Sequence, residues 1–140
     1  YVEAPDSVVA PAIRARILKG REIDGARYQE LIGKRRVRQV AFMRYMEGAD
    51  AFLTPTSPIT APPLAEIDET KTPLGTFTRL VNLMDMAALS VPAGLVDGLP
   101  SGLQIVVRRF QDPLALRIGR ALEVKRGGSL FDRPEGYAEP

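Results

Sequence analysis

The sequence contains no cysteine, no histidine and no tryptophan among its 140 residues. These absences exclude disulfide bonds, a thiolate nucleophile, an imidazole base and the commonest protein ligands of zinc. Any chemistry of this chain must therefore use hydroxyl, amine, carboxylate or amide groups. We predict neither a metal site nor a cofactor. The lack of cysteine is also compatible with a cytoplasmic location, which is the location we expect.

Long apolar runs are absent as well, since no stretch approaches the roughly 18 residues that a membrane-spanning helix needs. Tyr1 to Ala4 does not resemble a signal peptide, so we expect a soluble chain with no membrane partner. The chain begins with tyrosine instead of methionine, and we expect an upstream portion of the same protein. With 45% hydrophobic and 26% charged residues, the composition fits one ordinary domain or a piece of a larger one.

The overall charge is small, because the formal net charge is only +2. The basic residues are nevertheless concentrated between Arg14 and Arg44, where they are opposed only by Glu22, Asp24 and Glu30. Such charges usually form a solvated helix face, and binding to a polyanion such as nucleic acid is the alternative. We favour the solvated face and expect no nucleic-acid partner.

Helical periodicity, capping residues and proline positions predict four helices. Their expected ranges are about 6–19, 24–47, 73–86 and 113–126. Asp6 or Ser7 is the candidate cap of the first helix, Asp24 caps the second, and Thr72 followed by Pro73 opens the third. We predict that these helices and the strands between them form one unit over residues 1–126, followed by a tail over 127–140.

Short apolar runs predict three strands, at about 50–54, 88–91 and 103–107. A proline-rich loop follows the first strand, because five prolines between positions 55 and 73 forbid a continuous helix or a central strand. The Asp97–Gly98 pair indicates a turn between the other two strands, although their connection need not be a tight hairpin. Helices and strands together predict the α/β fold class.

Four motifs occur in a fixed order along the chain. They are DAFLTPT at Asp50–Thr56, an asparagine at Asn82, SVPAG at Ser90–Gly94 and GLPSGLQ at Gly98–Gln104. Each motif alone is weak, but the ordered set resembles the C-terminal region of the amidase-signature enzymes. The resemblance extends from about Ile13 to Glu123 and so covers nearly the whole chain.

The resemblance implies a hydrolase that cleaves carboxylic amides through an acyl-enzyme, using a Ser, cis-Ser, Lys triad. It also implies a mixed sheet flanked by helices, which this chain would contain only in part. Members of this family carry the triad in the N-terminal half of the domain, in and near a glycine- and serine-rich segment that this sequence lacks. We therefore assign no catalytic residue to this chain and predict that it is inactive alone. Its expected partners are the N-terminal half of the amidase domain and a small-molecule amide.

Candidate site residues fall into two groups. We predict that Thr54 and Thr56, at the end of a strand, lie near the substrate. The remaining matched residues are interpreted as structural, because they are suited to turns, caps and buried hydrogen bonds: Pro55, Asn82, Pro92, Gly94 and Gln104.

A departure from one subfamily bears on the reaction. The A subunits of glutamine-dependent tRNA amidotransferases have an aspartate seven residues before the matching asparagine, where it could recognise a substrate amine, and this chain has Gly75 there. We therefore favour a hydrolytic amidase. The stretch LGTFTRLVNLMDMAALSVPAG resembles the allophanate hydrolases and related small-amide amidases more than the amidotransferase subunits. The alternative is a non-catalytic subunit or interaction module. Unpaired strand edges also make a homo-oligomer an expectation.

Overall fold

The computed structural model of the chain describes residues 8–68 and 73–127. Both helices and strands occur in these ranges, which confirms the predicted α/β class. In chain order they are α1 (Pro11–Leu18), α2 (Gly25–Tyr45), β1 (Ala51–Pro55), α3 (Thr78–Met84), β2 (Ala87–Val96), β3 (Leu99–Val107) and α4 (Asp112–Arg126). No helix in the described ranges is long and apolar enough to cross a membrane.

The three strands form one sheet with β3 in the centre and β1 and β2 on either side of it. Both neighbours run antiparallel to β3, and the register places Thr54 and Ser90 on opposite sides of Gln104. Within the described residues, the sheet is therefore entirely antiparallel. The parallel pairing of a mixed sheet would need strands from outside these residues.

A two-residue turn joins β2 to β3. Asp97 and Gly98 both have positive φ angles, 52° and 77°, which is the backbone that a type I′ hairpin turn requires. Both strands are longer than the predicted 88–91 and 103–107, because pairing continues to Val96 opposite Leu99. The sequence indicated the turn but not the hairpin, since Pro92 and Pro100 made the connecting residues look irregular.

The main core lies between the sheet and α4. Ile105 and Val107 of β3 are fully buried there, together with Val91 of β2 and Ala115 of α4. Gly119 allows the helix to approach closely, because a Cβ atom at this position would lie 2.7 Å from a methyl group of Leu89. Since side chains alternate across a strand, Ile105 and Val107 share this face and Val106 lies on the other one.

Helix α2 packs near the opposite face of the sheet. Phe42 meets Phe52 of β1 edge to face, with 5.7 Å between the ring centroids, and Met46 at the end of the helix is buried. Asp24 caps the helix by accepting a hydrogen bond of 2.7 Å from the backbone amide of Arg27. The helix therefore begins one residue after its predicted cap.

The basic residues of α2 face solvent for most of its length. Glu30 accepts hydrogen bonds from Lys34 and Arg27, and the hydrogen bond from Lys34, followed by that from Arg27, lowers the pKa of this carboxyl below its usual value. Arg36, Arg38 and Arg44 are exposed.

Helix α1 is shorter than the predicted 6–19. It begins at Pro11, whose fixed φ angle suits the first helical position, and it continues as a 3₁₀ turn over Lys19–Glu22, past the predicted end at residue 19. The predicted caps Asp6 and Ser7 lie outside the described residues.

Helix α3 is also shorter than the predicted 73–86. The hydroxyl of Thr76 donates to the carbonyl of Pro73 at 2.6 Å, so a local side-chain bond competes with helix formation before Thr78. At the other end Asp85 adopts a left-handed conformation with φ of 59°, and the amide of Met86 donates to the carbonyl of Val81, which ends the helix. Thr72, the predicted cap, lies outside the described residues.

Candidate functional site

A polar pair lies in the middle of the sheet, on the face opposite α4. Gln104 of the central strand is buried, with 4% of its surface exposed. Its Nε2 donates a hydrogen bond of 3.0 Å to the Oγ1 of Thr54 on β1. A buried amide without a partner would cost about 1–3 kcal/mol, so this bond stabilises the pairing of β1 with β3.

A second polar pair lies one step further along the same face. The hydroxyl oxygens of Thr56 and Ser90 are 2.6 Å apart and share a hydrogen bond. They meet above Gly102, where a Cβ atom would lie 2.8 Å from Thr56 Oγ1 and 2.9 Å from Ser90 Oγ. Glycine at this position therefore leaves the space that the two hydroxyls occupy. The amide of Thr56 also donates to the carbonyl of Gly102 at 2.8 Å.

A β-bulge next to these pairs involves two of the predicted structural residues. Pro92 pairs with Gly102 and Gly94 pairs with Ser101, so one extra residue is accommodated in β2. Gly94 has φ of 113°, a conformation that a residue with a side chain rarely adopts. The hydroxyl of Ser101 donates to the carbonyl of Gly94, and Arg126 of α4 donates to that of Pro92.

An open cleft of about 410 Å³ lies between the end of β1, the loop that follows it and the β2–β3 hairpin. Its walls are mainly apolar, and they include Leu53, Pro58, Ile59 and Leu103. Thr54 lines this cleft, whereas Thr56 is not among its lining residues. The cleft therefore presents a mostly apolar surface.

Asn82 lies elsewhere, in the last turn of α3. Its backbone carbonyl and that of Leu83 accept hydrogen bonds from Arg35 of α2, at 3.1 and 2.7 Å. The Asn82 side chain is exposed, and within residues 8–68 and 73–127 it makes no hydrogen bond. In the described residues Asn82 thus joins α3 to α2 through its backbone.

The structure brings Thr54, Thr56, Pro92 and Gln104 to one region of the sheet and leaves Asn82 apart. Sequence reasoning assigned no role to Ser90 or Gly102, although both stand inside the quoted motifs. Their partnership with Thr56 depends on the register of three strands, which is not readable from spacing along the chain. No group of acidic side chains in the described part of the chain is arranged to hold a metal ion.

We expect Thr54→Val to lower the free energy of unfolding by about 1–3 kcal/mol, because it leaves the buried Gln104 amide without its acceptor. Urea denaturation would measure the loss. Thr60→Val is the matched control, since Thr60 makes no hydrogen bond within the described ranges and the change should stay within about 0.5 kcal/mol. Equal stabilities of the two variants would contradict the structural role of Thr54.

Comparison with known proteins gives consistent matches. The Amidase family profile matches residues 1–116. The glutamyl-tRNA(Gln) amidotransferase A subunit of Pseudothermotoga lettingae is 39% identical over 130 residues, which are 88% of this chain and 28% of that protein. The corresponding protein of Thermotoga maritima is 42% identical over 91 residues, 61% of this chain and 19% of that protein. The chain thus spans less than a third of the length of these relatives.

Solved structures agree with the sequence matches. A crystal structure of an amidase superposes with a TM-score of 0.74 at 28% identity, covering 84% of this chain and 29% of the other. A variant of allophanate hydrolase from Kluyveromyces lactis superposes with a TM-score of 0.68 at 31% identity, covering 77% of this chain and 18% of the other. Because the family profile matches most of the chain, and the folds agree over the same region, the chain belongs to the Amidase family.

Proposed function

We propose that this chain is the C-terminal portion of an amidase that hydrolyses carboxylic amide C–N bonds through an acyl-enzyme. The observation that carries the proposal is the family match over residues 1–116. The chemistry belongs to a Ser, cis-Ser, Lys triad outside this segment. In that scheme a neutral lysine removes the proton of serine, and backbone amides stabilise the oxyanion that forms on the substrate.

The hydroxyl groups of the described site support a scaffolding role. Thr54 is hydrogen-bonded to Gln104, and Thr56 is hydrogen-bonded to Ser90. A serine or threonine becomes a nucleophile when a base takes its proton, and these partners are an amide and another hydroxyl. The sheet therefore holds the wall of a pocket, and the N-terminal half of the domain is the partner that supplies the reactive groups.

We propose that Thr54 contacts the substrate, because it lines the cleft of about 410 Å³. Thr56, predicted with it from the sequence, has its hydroxyl directed to Ser90 across the sheet. We propose that Thr56, like Pro92, Gly94 and Gln104, shapes the site and does not contact substrate. The mostly apolar walls of the cleft suit the carbon skeleton of a small amide.

We further propose hydrolysis instead of transfer of ammonia from glutamine. The support is Gly75, because the resemblance described in the sequence analysis implies an aspartate at this position in the amidotransferase A subunits, where it could bind a substrate amine. Opposed to this are the names of the curated relatives described above, which are amidotransferase A subunits. We give more weight to position 75 than to the names of these relatives, because glycine has no carboxylate that could pair with a substrate ammonium group.

The test is amide hydrolysis by the full gene product, measured as release of ammonia from small amides. With hydroxylamine present, attack on an acyl-enzyme yields a hydroxamate, so hydroxamate formation reports the covalent intermediate. We expect both activities in the full product and neither in a polypeptide of residues 1–140. Turnover by residues 1–140 alone, lost on mutating one of its own residues, would contradict the external triad.

A non-catalytic binding role is the second candidate, because the sequence has no glycine- and serine-rich nucleophile segment and large apolar side chains are exposed on α2, including Val37 at 71%. Co-purification separates the two functions. A distinct chain that carries the Ser/Lys site would support the binding role, and one continuous polypeptide carrying both would support the amidase.

A further inference from the structure

The β-bulge in β2 forms part of the wall of the apolar cleft. The register of β2 against β3 shifts between Pro92 and Gly94, so Ala93 has no partner within the described sheet. Ala93 is half-buried, and it lines the same cleft of about 410 Å³ as Thr54. The unpaired residue of the bulge therefore contributes one methyl group to the wall of the proposed substrate cleft.

Two side chains from outside β2 hold the bulge in this shape. The hydroxyl of Ser101 donates to the carbonyl of Gly94 at 3.0 Å. Arg126, the last residue of α4, donates from its Nη1 to the carbonyl of Pro92 at 2.7 Å. Because the carbonyls on both sides of Ala93 are bound, these two bonds fix where its methyl group lies relative to the cleft.

The cleft is suited to an uncharged hydrocarbon group. Among the described residues, none that lines the cleft has an ionisable side chain, and the polar side chains there are hydroxyls of serine and threonine. An ionised group placed against these walls would lose hydration without gaining an opposite charge. The volume of about 410 Å³ falls within the range of about 300–1,000 Å³ that is usual for small-molecule sites.

We infer that Ala93 determines how large an apolar group the cleft accepts, and that Arg126 is a positioning residue that holds Ala93 in place. The inference rests on the proposed amidase function and deepens it, because it names the substrate class as amides with an uncharged hydrocarbon acyl chain. One methylene group more or less in an apolar pocket changes kcat/KM by about 10- to 200-fold. A change of one or two carbon atoms at Ala93 should therefore alter the preference for acyl length.

The test uses acetamide, butyramide and hexanamide, which differ only in the number of methylene groups. For the full gene product we expect kcat/KM to increase with chain length, because more apolar surface is buried. In the Ala93→Val variant, the ratio of kcat/KM for hexanamide to that for acetamide should fall about 10-fold or more, mainly through KM for hexanamide. The matched control is Ala65→Val, since Ala65 is exposed and is not among the residues that line the cleft.

Ala93→Gly tests the same inference in the opposite direction. Removing the methyl group widens the cleft, so the ratio of kcat/KM for hexanamide to that for acetamide should stay equal to the wild-type ratio or rise. A loss of folding would lower all three rates together in either variant. A valine that lowers the ratio and a glycine that does not are therefore a sign of size selection.

The role of Arg126 is tested by the same ratio. Arg126→Gln should lower the ratio by about 3- to 10-fold, because the carbonyl of Pro92 loses its donor and Ala93 is no longer held in place. Arg126→Lys should recover part of the ratio, since lysine also carries a donor. Lys125→Gln is the matched control, because it removes the same charge from the neighbouring exposed position. A purely structural role of Arg126 would lower all three rates equally and leave the ratio unchanged.

Binding of the three amides, measured by calorimetry, keeps the inference separable from the amidase function. Hydrolysis with the same ratio in the wild type and Ala93→Val would overturn the inference and leave the amidase proposal intact. Weaker binding of hexanamide to Ala93→Val, without hydrolysis by any form, would support the inference and overturn the amidase proposal. A ratio that responds to Ala93→Val but not to Arg126→Gln would overturn the role of Arg126 alone. Absence of hydrolysis together with unchanged binding would overturn both proposals.

Discussion

Replacing Ile105 with alanine is expected to lower the free energy of unfolding by about 2–5 kcal/mol. Ile105 is fully buried at the centre of the sheet, in the cluster that joins β2, β3 and α4. The loss combines the transfer free energy of the removed carbon atoms with a cavity that the neighbouring strands cannot close.

Equilibrium urea denaturation of the wild type and the Ile105→Ala variant would measure this effect. Val124→Ala serves as the control, because Val124 is also aliphatic but is 71% exposed on α4. Its stability should stay within about 0.5 kcal/mol of the wild type. A similar cost for both substitutions would show that Ile105 is not in the core that the structure describes.

The second large effect is expected for Gly102→Ala. The added Cβ atom would lie 2.8 Å from Thr56 Oγ1 and 2.9 Å from Ser90 Oγ, so at least one of these hydroxyls must move. Overpacking of this kind typically costs about 1–3 kcal/mol, and the hydrogen bond between the two hydroxyls is lost as well. Thermal and urea unfolding of the variant would show the loss.

A double-mutant cycle identifies the cause of the Gly102→Ala effect. In the Ser90→Ala background one of the two short contacts is removed, so Gly102→Ala should cost less there, by about 0.5 kcal/mol or more. Gly33→Ala is a matched control, because a Cβ atom at Gly33 meets nothing within 4 Å. It should stabilise α2 by up to about 1 kcal/mol. Additive costs in the cycle would argue against the contact with Ser90.

Local signals in the sequence located α2 and the β2–β3 turn well. Asp24 is an N-cap residue before a periodic apolar stretch, and the structure places its carboxylate on the amide of Arg27. The Asp97–Gly98 pair likewise marked the turn, since both positions need positive φ. Both predictions depended only on neighbours within a few residues, and such interactions are readable from a single sequence.

Features that depend on contacts between distant segments could not be predicted. The hydroxyl pair of Thr56 and Ser90 exists only because β1 and β2 flank the same strand and Gly102 lies between them. The prediction that the third helix begins at residue 73 was wrong for a local reason. The hydroxyl of Thr76 bonds to the carbonyl of Pro73, and the chain there forms a turn before the helix begins at Thr78. Apolar spacing alone could not reveal this competition between side chain and backbone.

The sequence named several residues that the structure places in one region of the sheet, but it did not indicate which of them bond to each other. Thr54 and Gln104 were placed in separate groups, one near the substrate and one structural, yet they bond to each other.

The connectivity of the sheet also sets an order for refolding. The β2–β3 hairpin closes through a two-residue turn, and such hairpins form in about 1–10 μs. The bond between Thr54 and Gln104 joins residues 50 positions apart, and closing that loop carries a larger entropy cost. We expect hydrogen exchange to protect the hairpin amides first and those of β1 later, so that the polar pairs form last.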